Sequence, residues 1–200
     1  MSTQAAPDLS TRERIAVTAA RLFSEHGFAG VSMRDIAEAV GVKAASLYNH
    51  FDDKESLYFA ALAQAFDHPI RLVDQALQAP GTPRQRLTGL VTALVEAVAG
   101  DPVSARLLQR ELVDGGPGRM ERIAQELMRP PFDRIKAVLS ELAPALDGGR
   151  VAAYLIATVH GYLSLLPLVP MLDSGLTTDP GQFAEDLSGE LLAWLAGRQR

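Results

Sequence analysis

The chain has 200 residues, 48% of them hydrophobic, and a formal net charge of -5. That apolar content suits one or two packed domains and excludes general disorder, while the acidic balance excludes indiscriminate coating of nucleic acid, which depends on counterion release by many cations. No cysteine is present, which excludes a disulfide framework, a thiolate metal site and a cysteine nucleophile.

The opening residues, MSTQAAPDLS, carry neither a charged start nor an apolar run, so no signal peptide is expected and a cytoplasmic location is the default. Residues 1–9 read as a flexible arm. Ser10 and Glu13 form a capping box, and Ile15, Ala19, Leu22 and Phe23 recur at helical spacing up to Gly27, which closes the first helix. Ser32 stands as the next N-cap with Asp35 three residues on; Ile36, Ala37 and Val40 line one face, and Gly41 is placed to end that helix in the left-handed conformation. Val42, Ala45, Leu47 and Phe51 then resume an apolar pattern. Two short helices across one glycine turn predict a helix-turn-helix, with the first helix packed across it.

In such a unit the second helix enters a DNA major groove with its early residues. A helix of about nine residues starting at Lys43 would offer Lys43, Ala44, Ala45, Ser46, Tyr48, Asn49 and His50: a cation, small side chains, hydroxyls and an amide suited to phosphates and base edges. Asn49 and His50 read equally as the end of a short helix. Residues 10–58 hold the basic residues Arg12, Arg14, Arg21, Arg34, Lys43 and Lys54 against a slightly larger number of acids. Binding DNA therefore requires the cations to share a face from which the acids are turned away.

Asp52 or Asp53 caps a fourth helix, with Leu57, Ala61, Ala65 and Phe66 inside, and Pro69 is expected to break or kink it. A loop over Gln78–Pro83 leads to Thr82-Pro83 and Asp101-Pro102, two cap-then-proline starts, with stops at Gly100 and at Gly115-Gly116-Pro117-Gly118. The stripe Ile123, Leu127, Phe132, Ile135, Leu139 and Leu142 predicts a long helix interrupted at Pro130-Pro131. Residues 151–172 run almost without charge, long enough to span a bilayer. His160, Tyr154, Thr158, Ser164, two prolines and the absence of a flanking basic cluster favour a helix buried in a core or between subunits instead. Asp179-Pro180 opens the last helix, with Phe183, Leu187, Leu191, Trp194 and Leu195 on one face. No stretch alternates with period two, so the expected fold is all-α, with about nine helices.

The run Gly41, Val42, Leu47, Tyr48, His50, Phe51 and Lys54, preceded by Met33-Arg34-Asp35-Ile36-Ala37, resembles the DNA-binding domain of the TetR family of bacterial transcriptional repressors, over residues 10–58. The resemblance implies that Arg34 and residues Lys43 to Asn49 face base edges while Ser32, Tyr48, His50 and Lys54 hold phosphates. It implies a helix-turn-helix domain (10–58) joined by a linking helix to a C-terminal domain (59–200) for ligand binding and dimerisation. Such a protein represses by binding a pseudo-palindromic operator in double-stranded DNA as a homodimer, and a small-molecule effector releases it.

The two final helices carry broad apolar faces, and a reader with one recognition helix gains by pairing with its own copy. Tyr162, Leu187, Leu191 and Trp194 are therefore interface candidates, though the same residues could complete a monomer's core. Polar groups on otherwise apolar helices, namely Arg106, Gln109, Tyr154, Thr158 and His160, are candidates for orienting an effector, although a lone histidine on such a helix commonly serves structure. Neither a metal nor a cofactor is expected. The histidines lack metal-ligand spacing, neither G-x-S-x-G nor HExxH occurs, and Asp52-Asp53 is explained by capping, so an enzyme is not expected. A helical adaptor without DNA binding is the alternative reading.

Overall fold

The computed structural model describes residues 9–144, 146–173 and 175–197. The expected arm lies outside the described residues except for Leu9. Among the described residues every regular element is helical: α1 (Thr11–His26), α2 (Met33–Val40), α3 (Ala44–Tyr48), α4 (Lys54–Gln78), α5 (Pro83–Ala99), α6 (Pro102–Asp114), α7 (Pro117–Ile123), α8 (Arg129–Leu142), α9 (Gly148–Leu165), α10 (Val169–Leu172) and α11 (Pro180–Gly197). A π turn, Ala124–Met128, joins α7 to α8. With that rod counted once and the single turn α10 set aside, the described residues hold the nine principal helices expected.

The starts follow the cap chemistry. Ser10, Ser32 and Thr82 each complete a capping box, with Glu13, Asp35 and Gln85, and Asp53 and Asp101 accept from backbone N–H groups of the first turn. These side chains satisfy donors that helix geometry leaves unpaired. Of the two residues expected to cap α4, Asp53 does so, receiving Ser56 N–H at 2.7 Å.

Prolines act differently from the simple expectation of breaks. Pro69 lies inside an unbroken α4, buried in the protein. At Pro130-Pro131 the missing donors and ring bulk are absorbed one turn earlier: the Arg129 N–H reaches back five residues to Ala124 O, which winds the π turn. The charge-poor stretch ends as a helix at Leu165, ahead of Pro167. No single helix among the described residues is long and apolar enough to cross a membrane.

Two apolar cores result. The first gathers α1, α2, α3 and the front of α4 around Phe23, Ile36, Leu47 and Tyr58, and takes in Leu107 of α6 and Ile123 of α7. The second packs the rear of α4 from Val73 onward with α5, α8, α9 and α11. α4 thus belongs to both, and the expected boundary after residue 58 falls within it. The α8–α9 approach depends on Gly148: a Cβ there would stand 2.2 Å from Ser140 Oγ and 2.8 Å from Lys136 O. Gly148→Ala is therefore expected to cost about 1–3 kcal/mol, seen as a lower urea midpoint with unchanged slope; an unchanged midpoint would show that the two helices separate freely.

Candidate functional site

The helix-turn-helix is held from behind. Leu47 and Phe51 are buried, and Gly41, at φ 78° and ψ 33°, turns the chain between α2 and α3 with its N–H and that of Val42 directed back to Ala37 O. Arg12 of α1 donates to the His50 carbonyl and lies 4.3 Å over the Phe51 ring. α3 spans only Ala44–Tyr48, shorter than expected, because Lys43 is its N-cap and Asn49 its C-cap. Lys43, Ala44, Ala45, Tyr48 and Asn49 are exposed, whereas Ser46 and His50 are half-buried.

Beside α3 lies a hollow of about 460 Å³ at the start of α2, lined in part by Ser32, Arg34, Tyr48 and Lys54. Four of the ten expected DNA-contacting residues meet there, over the free N–H groups of a helix N-terminus. This combination of backbone donors, hydroxyls and cations attracts an anion. Lys54 is not a free cation: its Nζ sits 4.3 Å over the Phe28 ring, and burial, with Arg119 nearby, pushes its pKa down. Arg34 and Lys43 make no hydrogen bond or ion pair among the described residues. The acids are spent elsewhere, since Glu13, Asp35 and Asp53 are turned back onto helix starts.

A second assembly connects this unit to the rest of the chain. The Tyr58 hydroxyl donates to Glu111 Oε1 at 2.7 Å, and Arg119 Nε lies 3.2 Å from both oxygens of the same buried carboxylate. Burial and the Glu111 hydrogen bond push the Tyr58 phenol far above its ordinary pKa. Arg119 also covers the Phe28 ring at 4.6 Å, so Lys54 and Arg119 share one aromatic ring. Arg110 donates to Ser24 O at 2.8 Å and Glu25 O at 2.6 Å, closing the end of α1. Sequence reasoning singled out neither Phe28 nor Arg119; the only signal was the adjacent Arg110-Glu111 charge pair on an otherwise apolar helix.

Between α4, α5, α6, α8 and α9 lies a cavity of about 610 Å³, walled by residues such as Phe66, Val73, Leu94, Leu108, Ile135 and Ile156. Of the five expected effector residues it takes Gln109 and His160, and adds Ser164 and Ser104. Arg106 is exposed and folded onto Pro102 O. Tyr154 and Thr158 line a different hollow of about 300 Å³, with Leu187, Leu191 and Trp194 of α11. One residue along a helix is a rotation of about 100°, which carries Tyr154 and Thr158 away from Ala153 and Ala157 in the cavity wall. Tyr162 is committed within the subunit: its ring stacks on Phe183 at 4.0 Å and its hydroxyl donates to Thr177 O at 2.6 Å.

Residues 15–61 match the family described as bacterial regulatory proteins, tetR family. KstR of Mycolicibacterium smegmatis, an HTH-type transcriptional repressor, is 33% identical over 144 residues, 70% of this chain and 69% of its own. The chain belongs to the TetR family. Two further curated relatives from that organism, by name a repressor and an activator, are matched over only 43% and 44% of their own length. Among solved structures, AibR in complex with isovaleryl coenzyme A and operator DNA superposes with TM-score 0.69 at 24% identity, over 90% of this chain and 95% or more of its own, at 97%. FadR from Bacillus subtilis in complex with stearoyl-CoA gives 0.71 at 18% identity, over 88% and 95%. These two likenesses establish that the C-terminal helices share the TetR fold as well as the N-terminal unit.

The cap at Ser32 makes this TetR domain acid-sensitive in a defined sense. Hydrogen bonds from Ser32 hold Asp35 below its ordinary pKa of 3.8, so its contribution is complete above that value and is lost as pH falls through the lower folded value. The difference in thermal midpoint between the wild type and Asp35→Asn is expected to close as pH falls from about 5 to about 2. A gap that stays constant over that range would show that Asp35 is unlinked to folding.

Proposed function

We propose that this chain is a transcriptional regulator that binds double-stranded operator DNA as a homodimer and is released by a small-molecule effector. The observation that carries the reading is the union of an exposed α3, unpaired Arg34 and Lys43, and the anion-attracting hollow lined by Ser32, Tyr48 and Lys54. Arg34 and the residues from Lys43 to Asn49 would read base edges, with Ser32, Tyr48, His50 and Lys54 on phosphates. Repression is the favoured direction because KstR, matched over most of its length, is named a repressor.

A homodimer follows from the need for two readers. The outer faces of α9 and α11 present Tyr154, Leu191 and Trp194 around a shallow apolar hollow, a surface suited to its own copy. Two recognition helices so joined would meet successive major grooves, roughly 34–36 Å apart, on a pseudo-palindromic site. The effector would occupy the large cavity, as is consistent with the ligand complexes of AibR and FadR.

α6 is the natural transmitter. Ser104, Leu108 and Gln109 face the cavity, while Leu107 enters the first core and Arg110 and Glu111 grip α1 and α4. An occupant that moves α6 therefore moves the reading unit, provided it prefers one state. A swing from 1:99 to 99:1 needs about 5.5 kcal/mol of that preference.

Gel shift on the DNA upstream of the protein's own gene tests the reading. Binding should fall steeply with salt, and Arg34→Ala or Lys43→Ala should abolish or greatly weaken it. Tyr48→Ala should cost about 1–3 kcal/mol over two half-sites, equally for all operator variants, as loss of a phosphate contact does. Undiminished binding by both cation variants would remove the assigned contacts, and a base-selective loss for Tyr48→Ala would move it from phosphate to base.

A further inference from the structure

We infer that the cavity selects an effector whose enclosed part is an uncharged hydrocarbon skeleton, oriented by one neutral hydrogen-bonding group at a corner formed by His160, Ser164 and Gln109. This rests on the reading of the cavity as the effector site, and it names the chemistry that site accepts. No Lys, Arg, Asp or Glu is among the residues lining it. A charge drawn inside would lose its hydration without a counter-ion, a cost well above that of an unpaired neutral group. Any charged head group must therefore stay outside.

The polar lining is nearly all spoken for. Ser104 Oγ donates to Asp101 O at 3.0 Å. Gln109 Nε2 donates to Ser164 Oγ at 2.7 Å, tying α6 to α9. His160 Nδ1 lies 3.0 Å from Ile156 O; a carbonyl only accepts, so Nδ1 carries the proton and Nε2 of the neutral ring is left with a lone pair. His160 and Ser164 are one helical turn apart and share a face. What remains at this corner is one acceptor, His160 Nε2, and one donor, the Ser164 hydroxyl. An alcohol satisfies the first and an ester or thioester carbonyl the second. A carboxylate meets the lone pair of His160 with lone pairs of its own.

The test uses the full chain and the neutral fluorescent probe N-phenyl-1-naphthylamine, displaced at pH 8 by octan-1-ol, methyl octanoate or octanoate, with operator binding followed separately. The alcohol and ester should displace the probe at least ~10-fold better than the acid. His160→Phe should weaken the alcohol, and Ser164→Ala the ester, each by ~3–10-fold, and which variant matters more identifies the source of the polar group. Octanoate displacing as well as the alcohol, or both variants leaving both ligands unchanged, would overturn the proposal. Failure of the probe and of all three ligands to bind would overturn it together with the effector reading. Selective displacement without operator release would uphold the ligand chemistry and remove only the regulatory role.

Discussion

The buried carboxylate of Glu111 is the constraint on which the relation between the two halves depends. An isolated charge at that depth would be prohibitively costly, and it is retained because Tyr58 and Arg119 both donate to it. Tyr58 comes from α4, Arg119 from α7 and Glu111 from α6, so the node closes only when all three helices are in register. Removing one partner leaves a charge without compensation, so sliding α6 alone is opposed while moving the three together is not. The aromatic group of Phe23, Phe28 and Tyr58, with rings 4.8 and 5.0 Å apart around Tyr58, extends that register to the end of α1. Lys54 rests on the same Phe28 ring as Arg119, which places a proposed phosphate contact one side chain away from the node.

Electrostatics decide how an acidic chain can present a face to DNA. The net charge of -5 is a property of the whole molecule, and what matters for a duplex is its distribution. Three of the acids near the reading unit are consumed as helix caps, where they stabilise their own helix starts. Arg12 is spent on the α3 end and Arg21 on Glu25. Arg34 and Lys43 are left beside α3. The same cap residues therefore serve both folding and the sidedness that binding requires.

How much of this could be read from the residues divides by range. Capping boxes, cap-then-proline starts and the Gly41 turn are local, carried within four residues, and each appears where the pattern placed it. α3 was expected longer because the apolar spacing through Phe51 continues past the helix; Phe51 is buried by a turn and by Arg12, and periodicity does not distinguish the two. The double proline was read as a break, but the helix absorbs it as a π turn because α7 and α8 are both anchored, through Ile123 and Ile135, in separate cores. Tyr154 and Thr158 show the limit of polarity as a guide: on a helix buried along several faces, a polar residue does not reveal which neighbour it meets. The Tyr58–Glu111–Arg119 node joins residues 53 positions apart, beyond any periodic signal.

The cavity lies at the seam of the two cores, which explains why an occupant there could act on both. Its wall takes Phe66 from the first core and Val73, Leu94 and Ile135 from the second. Between Phe66 and Val73 stands Pro69, itself in the wall, where α4 lacks one backbone donor. A few residues away on the far side, the π turn and Pro131 bring a second weakened stretch of helix to the same space. Close-packed interiors shift between discrete arrangements and do not deform smoothly, so strain introduced at a well-packed centre would be resisted by the whole core. Set between two cores and bounded by helices whose ladders are already interrupted, the cavity can change shape without breaking up either core. The cost falls on α4 and α6, the two helices that carry Tyr58 and Glu111.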